Sequence, residues 1–227
     1  MINKKPELIT FIILIICLFL FTLTVFGITD VLSDNISSFL LNHLGNTNKW
    51  SDYYGPEWFV DFNKEISALA GFPLMFIFIS IIITYYYLRK ESRRLWRLLF
   101  VLITGGLLLL FTKLIFASEL PYQPHEYITN HISPFPSGHA MMGTIFYITL
   151  SVITSRNYQS KATKRFIIFS GIIITLFIGI SRILPGIHTF NDVLAGWSLG
   201  MIWLCICWLL ERKIKEKSNQ QKRINIQ

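Results

Sequence analysis

Six stretches of this chain, roughly residues 9–28, 66–87, 95–116, 138–155, 166–184 and 192–210, come close to the length of about 20 mainly apolar residues that crosses the hydrocarbon core of a bilayer. Six such helices would use most of the 227 residues. Composition points the same way: 52% of the residues are hydrophobic and 15% charged, with a mean hydropathy of +0.50, which leaves a water-soluble fold little polar surface to present. The expected architecture is all-α, a polytopic membrane protein of six transmembrane helices, with residues 1–227 forming a single domain. The first stretch follows Lys4 and Lys5, as the apolar part of a signal peptide would. Its run from Ile9 to Ile28 is long, however, and no small-residue cleavage pattern follows it, so it is read as a helix.

Six spans place both termini on one side and alternate the loops between sides. One side then receives Lys4 and Lys5, the group from Arg89 to Arg97, the group from Arg156 to Arg165, and the basic residues of the tail 211–227, in all 17 of the 21 lysines and arginines. The positive-inside rule makes this the cytoplasmic side, with both termini on it. The clusters need no role beyond topology and contact with anionic lipid headgroups, so the net charge of +8 implies no nucleic-acid partner. The opposite side holds only Lys49, Lys64, Lys113 and Arg182 of the basic residues, yet all five histidines: His43, His125, His131, His139 and His188. That partition assigns the chemistry to the extracytoplasmic face of a multi-pass protein of the cell membrane.

Cys17, Cys205 and Cys207 fall inside apolar runs without ligand spacing, and read as inert core or lipid-facing residues. Residues 29–65 form an outer loop in which Trp50, Tyr53, Tyr54, Trp58 and Phe59 stand among acidic side chains. Three readings are open for it: an interfacial aromatic belt, a short amphipathic helix on the surface, or a lid over a lipid entrance.

Three outer-side segments hold the residues that are unusual for a membrane protein: Lys113 near the end of the third span, Pro136-Ser137-Gly138-His139 opening the fourth, and Ser181-Arg182 followed by His188 and Asp192 around the fifth and sixth. Each has an ordinary explanation alone. Lys113 and Arg182 could snorkel to the interface. Pro136 and Ser137 could simply start a helix, Asp192 could cap one, and His188 could be a satisfied loop histidine.

Together they describe a site for an anion. A serine hydroxyl and the free backbone N–H groups around Gly138 stand at the positive end of a helix, which is a phosphate cradle. Arg182 adds a planar fork and Lys113 a point charge for the same anion. Asp192, four residues after His188, can hold one ring nitrogen and leave the other as nucleophile. His139, at the mouth of the cradle, suits a general acid, and two histidines in these roles imply a bell-shaped pH–rate curve. His125 and His131 read as polar loop residues. No Asp/His cluster remains for a metal, and no cofactor is expected.

At these residues the sequence resembles the phosphatidic acid phosphatase type 2 superfamily, which also includes vanadium haloperoxidases. The family pattern is KxxxxxxRP, PSGH and SRxxxxxHxxxD; the second is complete at Pro136–His139 and the third at Ser181, Arg182, His188 and Asp192. The resemblance covers about residues 66–210. It implies a six-helix membrane core and metal-independent hydrolysis of a lipid phosphate through a phosphohistidine on His188. It also implies that His139 protonates the leaving group, while Lys113, Ser137, Gly138 and Arg182 hold the phosphoryl oxygens. Among bacterial substrates it points to undecaprenyl pyrophosphate and phosphatidylglycerol phosphate, then phosphatidic acid; a bacterial source itself is inferred from the Ile-, Lys- and Asn-rich composition.

The first motif departs from the pattern. Six residues after Lys113 comes Leu120, where the family has arginine, before the expected Pro121. Stabilising the charge of the transferred phosphoryl group is the main catalytic contribution in such reactions, so this position bears directly on rate. Gln123, His125 or His131 could substitute for the arginine, or the site could suit a differently charged substrate. Two other readings stay open: a lipid phosphotransferase using the same histidine, and a catalytically weakened lipid-binding relative.

Overall fold

The structure, a computed structural model, describes residues 5–48, 51–116 and 135–224. Helix α1 (Lys5–Val25) is followed by α2 (Asp30–Leu44) and a short antiparallel pair, β1 (Asn46–Asn48) and β2 (Ser51–Tyr54). Then come α3 (Glu57–Ala68), α4 (Phe72–Leu88), α5 (Ser92–Phe116), α6 (Gly138–Ser155), α7 (Lys161–Ile183) and α8 (Phe190–Ile224). Among the described residues, five helical stretches are long and apolar enough to cross a membrane: Pro6–Val25, Glu57–Leu88, Ser92–Phe116, Lys161–Ile183 and Phe190–Ser218.

The remaining stretch expected to span, 138–155, is α6, and it falls outside that group for a physical reason. It is the central helix, packed against α5, α7 and α8 and burying residues along its whole length, from Ala140 to Ser155. A helix surrounded by protein has little need of lipid-compatible side chains. Its sequence is accordingly diluted with hydroxyls that satisfy themselves locally, Thr144 donating to the Ala140 carbonyl (2.7 Å) and Ser151 to that of Tyr147 (2.7 Å). By contrast α1 leans on α8 alone among strong partners and exposes Leu8, Phe11, Ile15 and Phe19.

Close approach of α8 to α6 depends on Gly196 and Gly200, a small-xxx-small pair on one face of α8. A Cβ on Gly196 would stand 2.7 Å from the Ser137 carbonyl oxygen, and one on Gly200 would stand 3.0 Å from that of Met141. The hydrophobic core gathers around this contact, with Met141, Ile145 and Phe146 of α6 fully enclosed by residues that include Leu98 and Ile178.

The basic segments converge on one end of the bundle. Arg212 of α8 pairs with Glu7 at the start of α1 (2.6 Å), Arg97 of α5 with Glu211 (3.0 Å), and Arg94 donates to Asn157 after α6 (2.6 Å). The basic tail continues α8 as a helix to Ile224 and carries i,i+4 pairs of Arg212 with Glu216 and Lys215 with Glu211. Lys113 lies 16 residues beyond Arg97 on α5, and at the helical rise that is about 24 Å away, near the opposite end.

The segment read as an outer loop is mostly ordered structure. It contains α2, the β1–β2 pair and most of α3. Of the three readings, α3 takes the form of the amphipathic helix: Val60, Asn63 and Ser67 are buried on the side that packs on α7, while Trp58 and Phe62 are exposed. Trp50 lies outside the described residues.

Candidate active site

Helix α6 begins where Ser137, in an extended backbone conformation, hands over to Gly138. Its side chain makes no capping bond. Ser137 is fully buried, and its Oγ has no hydrogen-bond partner among the described residues. Its backbone N–H donates to the Asp192 carbonyl (2.9 Å), which joins the first turns of α6 and α8. The first-turn N–H groups of α6 have no acceptor within the helix and carry the positive end of its dipole. A Cβ built on Gly138 would stand 3.9 Å from Lys113 Cε and 3.4 Å from Leu109 Cδ2, so the lysine stem runs alongside the glycine.

The start of α8 is a reciprocal cap. Thr189 Oγ1 accepts from the Asp192 N–H (3.2 Å) and Asp192 Oδ2 accepts from the Thr189 N–H (3.0 Å). The same carboxylate oxygen lies 3.4 Å from His188 Nδ1, a long contact that orients the ring and leaves Nε2 for other partners. Upstream, the His188 N–H donates to the Arg182 carbonyl (3.0 Å), and Gly186 turns the chain with φ +73°, so Arg182 and His188 flank one tight loop.

The region before α4 holds that loop from outside. The Tyr54 N–H donates to the Pro185 carbonyl (3.1 Å), and the Tyr54 ring leaves no room for a side chain at Gly186, where a Cβ would come within 2.9 Å. Asp30 of α2 accepts from the Asn191 amide. Arg182 Nη1 donates to Ser67 Oγ of α3 (3.3 Å).

Lys113, Ser137, Gly138, His139, Arg182, His188 and Asp192 thus meet at one end of the bundle. The charges of Arg182, His188 and Lys113 all bear on His139, and that of Asp192 on Lys113. His43 lies apart, exposed on α2 and bonded to the Phe39 carbonyl (2.8 Å). Leu120, Gln123, His125 and His131 lie outside the described residues. Among the described residues no group of three or more His, Cys, Asp or Glu side chains is arranged to hold a metal ion.

Some residues around the site were not read from the sequence. Thr189 carried a signal, since T-x-x-D before an apolar run is a capping pattern. Ser67, Asp30 and Asn191 carried none, because their contacts join segments 115 and 161 residues apart.

Fold and site together define a multi-pass helical membrane protein that gathers two cations, two histidines and a buried hydroxyl at one end of its bundle. The chain belongs to the PAP2 superfamily, whose sequence profile matches residues 94–216 and so includes every one of those groups. Phosphatidylglycerophosphatase B of Bacillus subtilis (strain 168) is 36% identical over 83 residues, 36% of this chain and 40% of its own length. A PA-phosphatase related-family protein of Dictyostelium discoideum is 30% identical over 105 residues, 44% of this chain and 31% of its own. The matches therefore span less than half the length of these relatives. The crystal structure of a transmembrane PAP2 type phosphatidylglycerolphosphate phosphatase from Bacillus subtilis has the same fold, with a TM-score of 0.69 over 90% of this chain and 96% of that one, at 20% identity.

Proposed function

We propose that this protein is an integral membrane lipid phosphatase, acting at the extracytoplasmic face without a metal ion. The observation that carries the reading is the buried Ser137 hydroxyl, without a partner among the described residues at the start of α6 and tied by its own backbone to the residue that orients His188. An unpaired buried polar atom costs about 1–3 kcal/mol, which a fold tolerates where a ligand completes it. A phosphoryl oxygen is the acceptor that suits a hydroxyl at a helix N-terminus between a lysine and an arginine.

In this mechanism His188 Nε2 attacks phosphorus and the bond from phosphorus to the lipid oxygen breaks. His139 delivers a proton to that departing oxygen. Water then attacks the phosphohistidine, His139 takes up its proton, the P–N bond breaks and inorganic phosphate leaves. Asp192 supports the imidazolium character that develops on His188. Lys113, Ser137, the Gly138 N–H and Arg182 hold the oxygens while charge redistributes.

The basic end faces the cytoplasm by the positive-inside rule, with six crossings that include the shielded α6. The site then opens at the outer interface, where acyl chains remain in lipid and the headgroup meets the cations. Phosphatidylglycerol phosphate is the first substrate to test, given the names of the two Bacillus subtilis proteins, followed by undecaprenyl pyrophosphate and phosphatidic acid. Purified wild type and His188→Ala are assayed for inorganic phosphate release from this panel in chelator. Release by the wild type and none above background by the variant is expected; equal release from both on every substrate rejects the mechanism. No release from either would favour the lipid-binding reading that Leu120 permits.

A further inference from the structure

Ser67 lies outside the three motifs and outside residues 94–216, in the part of the chain the family profile does not match. It is 2% exposed on the inner face of α3, and its hydroxyl faces the Arg182 guanidinium at 3.3 Å. A serine hydroxyl has one proton, and here it goes to the Lys64 carbonyl (2.9 Å), one turn back on the same helix. The oxygen lone pairs are thereby turned toward the arginine. Since the hydroxyl cannot rotate without losing the Lys64 bond, it is a fixed acceptor for one branch of the fork.

We infer that Ser67 is a positioning residue for Arg182: α3 holds the guanidinium at the angle from which its other N–H groups meet a phosphoryl oxygen. This rests on the reading of Arg182 as a phosphate ligand. It gives α3 a role that its amphipathic pattern alone does not: its inner face carries the acceptor for the phosphate-binding side chain, while Trp58 and Phe62 stay exposed on the helix.

The test is a titration of inorganic phosphate, followed by 31P NMR, into purified full-length wild type, Ser67→Ala, Ser67→Cys, Arg182→Ala and the Ser67→Ala/Arg182→Ala double variant, each with its melting temperature. Ser67→Cys keeps a side chain of nearly the same shape and weakens both of its hydrogen bonds, so it serves if the alanine variant fails to fold. Expected are Kd values about tenfold higher for both serine variants, as for a lost hydrogen bond to a charged group, and no further loss when Ser67→Ala is added to Arg182→Ala. Asn63→Ala removes a different bond from the same face of α3, Asn63 Nδ2 to the Phe59 carbonyl (2.8 Å), and is expected to lower the melting temperature with Kd unchanged. Unchanged Kd in the serine variants, additive losses in the double variant, or an equal loss in Asn63→Ala overturns the positioning role. Unchanged Kd in Arg182→Ala overturns instead the reading of the site beneath it.

Discussion

Ser137 is the residue at which stability and proposed function pull in opposite directions. Its hydroxyl is enclosed and has no partner among the described residues, so it costs stability there and returns it only when an acceptor arrives. Ser137→Ala is therefore expected to raise the melting temperature, by the equivalent of about 1 kcal/mol, while lowering phosphate release on the order of 10²-fold. Thermal denaturation and steady-state assay of the same preparation check both signs; a variant that is both less stable and less active contradicts the assignment. Leu120 poses the converse question, an apolar side chain where the family pattern carries a cation. If a missing charge limits the reaction, Leu120→Arg raises the rate about tenfold on its best lipid phosphate. A fall on every substrate would mean that the site is built around the leucine.

At the scale of elements, the site depends on how closely α8 lies against α6. A Cβ on Gly196 would stand 2.7 Å from the Ser137 carbonyl oxygen, so a methyl there pushes α6 and α8 apart and stretches the bond from the Ser137 N–H to Asp192. Gly196→Ala is expected to destabilise the fold by about 1–3 kcal/mol and to lower phosphate release along with it, read by melting temperature and by assay. Retained activity would mean that the α6–α8 contact is not what aligns the site. The elements themselves were largely legible in the sequence, because apolar length fixes where helices run and the motif spacing fixes which residues sit at their ends. Two features were not. The central position of α6 leaves it less apolar than a lipid-facing span, and only the surrounding helices reveal why that is permitted. The region before α4 is illegible for a different reason: the partners of Asp30, Tyr54 and Ser67 lie more than 110 residues away along the chain, beyond any local pattern.

For the whole molecule, the charge partition has a spatial counterpart, since ion pairs and hydrogen bonds gather Glu7, Arg94, Arg97, Asn157 and Arg212 at the end away from Lys113. In a background with the native cysteines replaced, Gln159→Cys is expected to resist membrane-impermeant thiol reagents in intact cells, and Asn42→Cys to react. The reverse pattern would put the site on the cytoplasmic face. In the proposed mechanism one histidine takes the phosphoryl group from a lipid. Rapid quenching of the purified protein with 32P-labelled phosphatidylglycerol phosphate traps that intermediate. Acid-labile, base-stable label is expected on the peptide that contains His188, and none in His188→Ala. Label that persists in His188→Ala, or phosphate release undiminished in that variant, would contradict the mechanism.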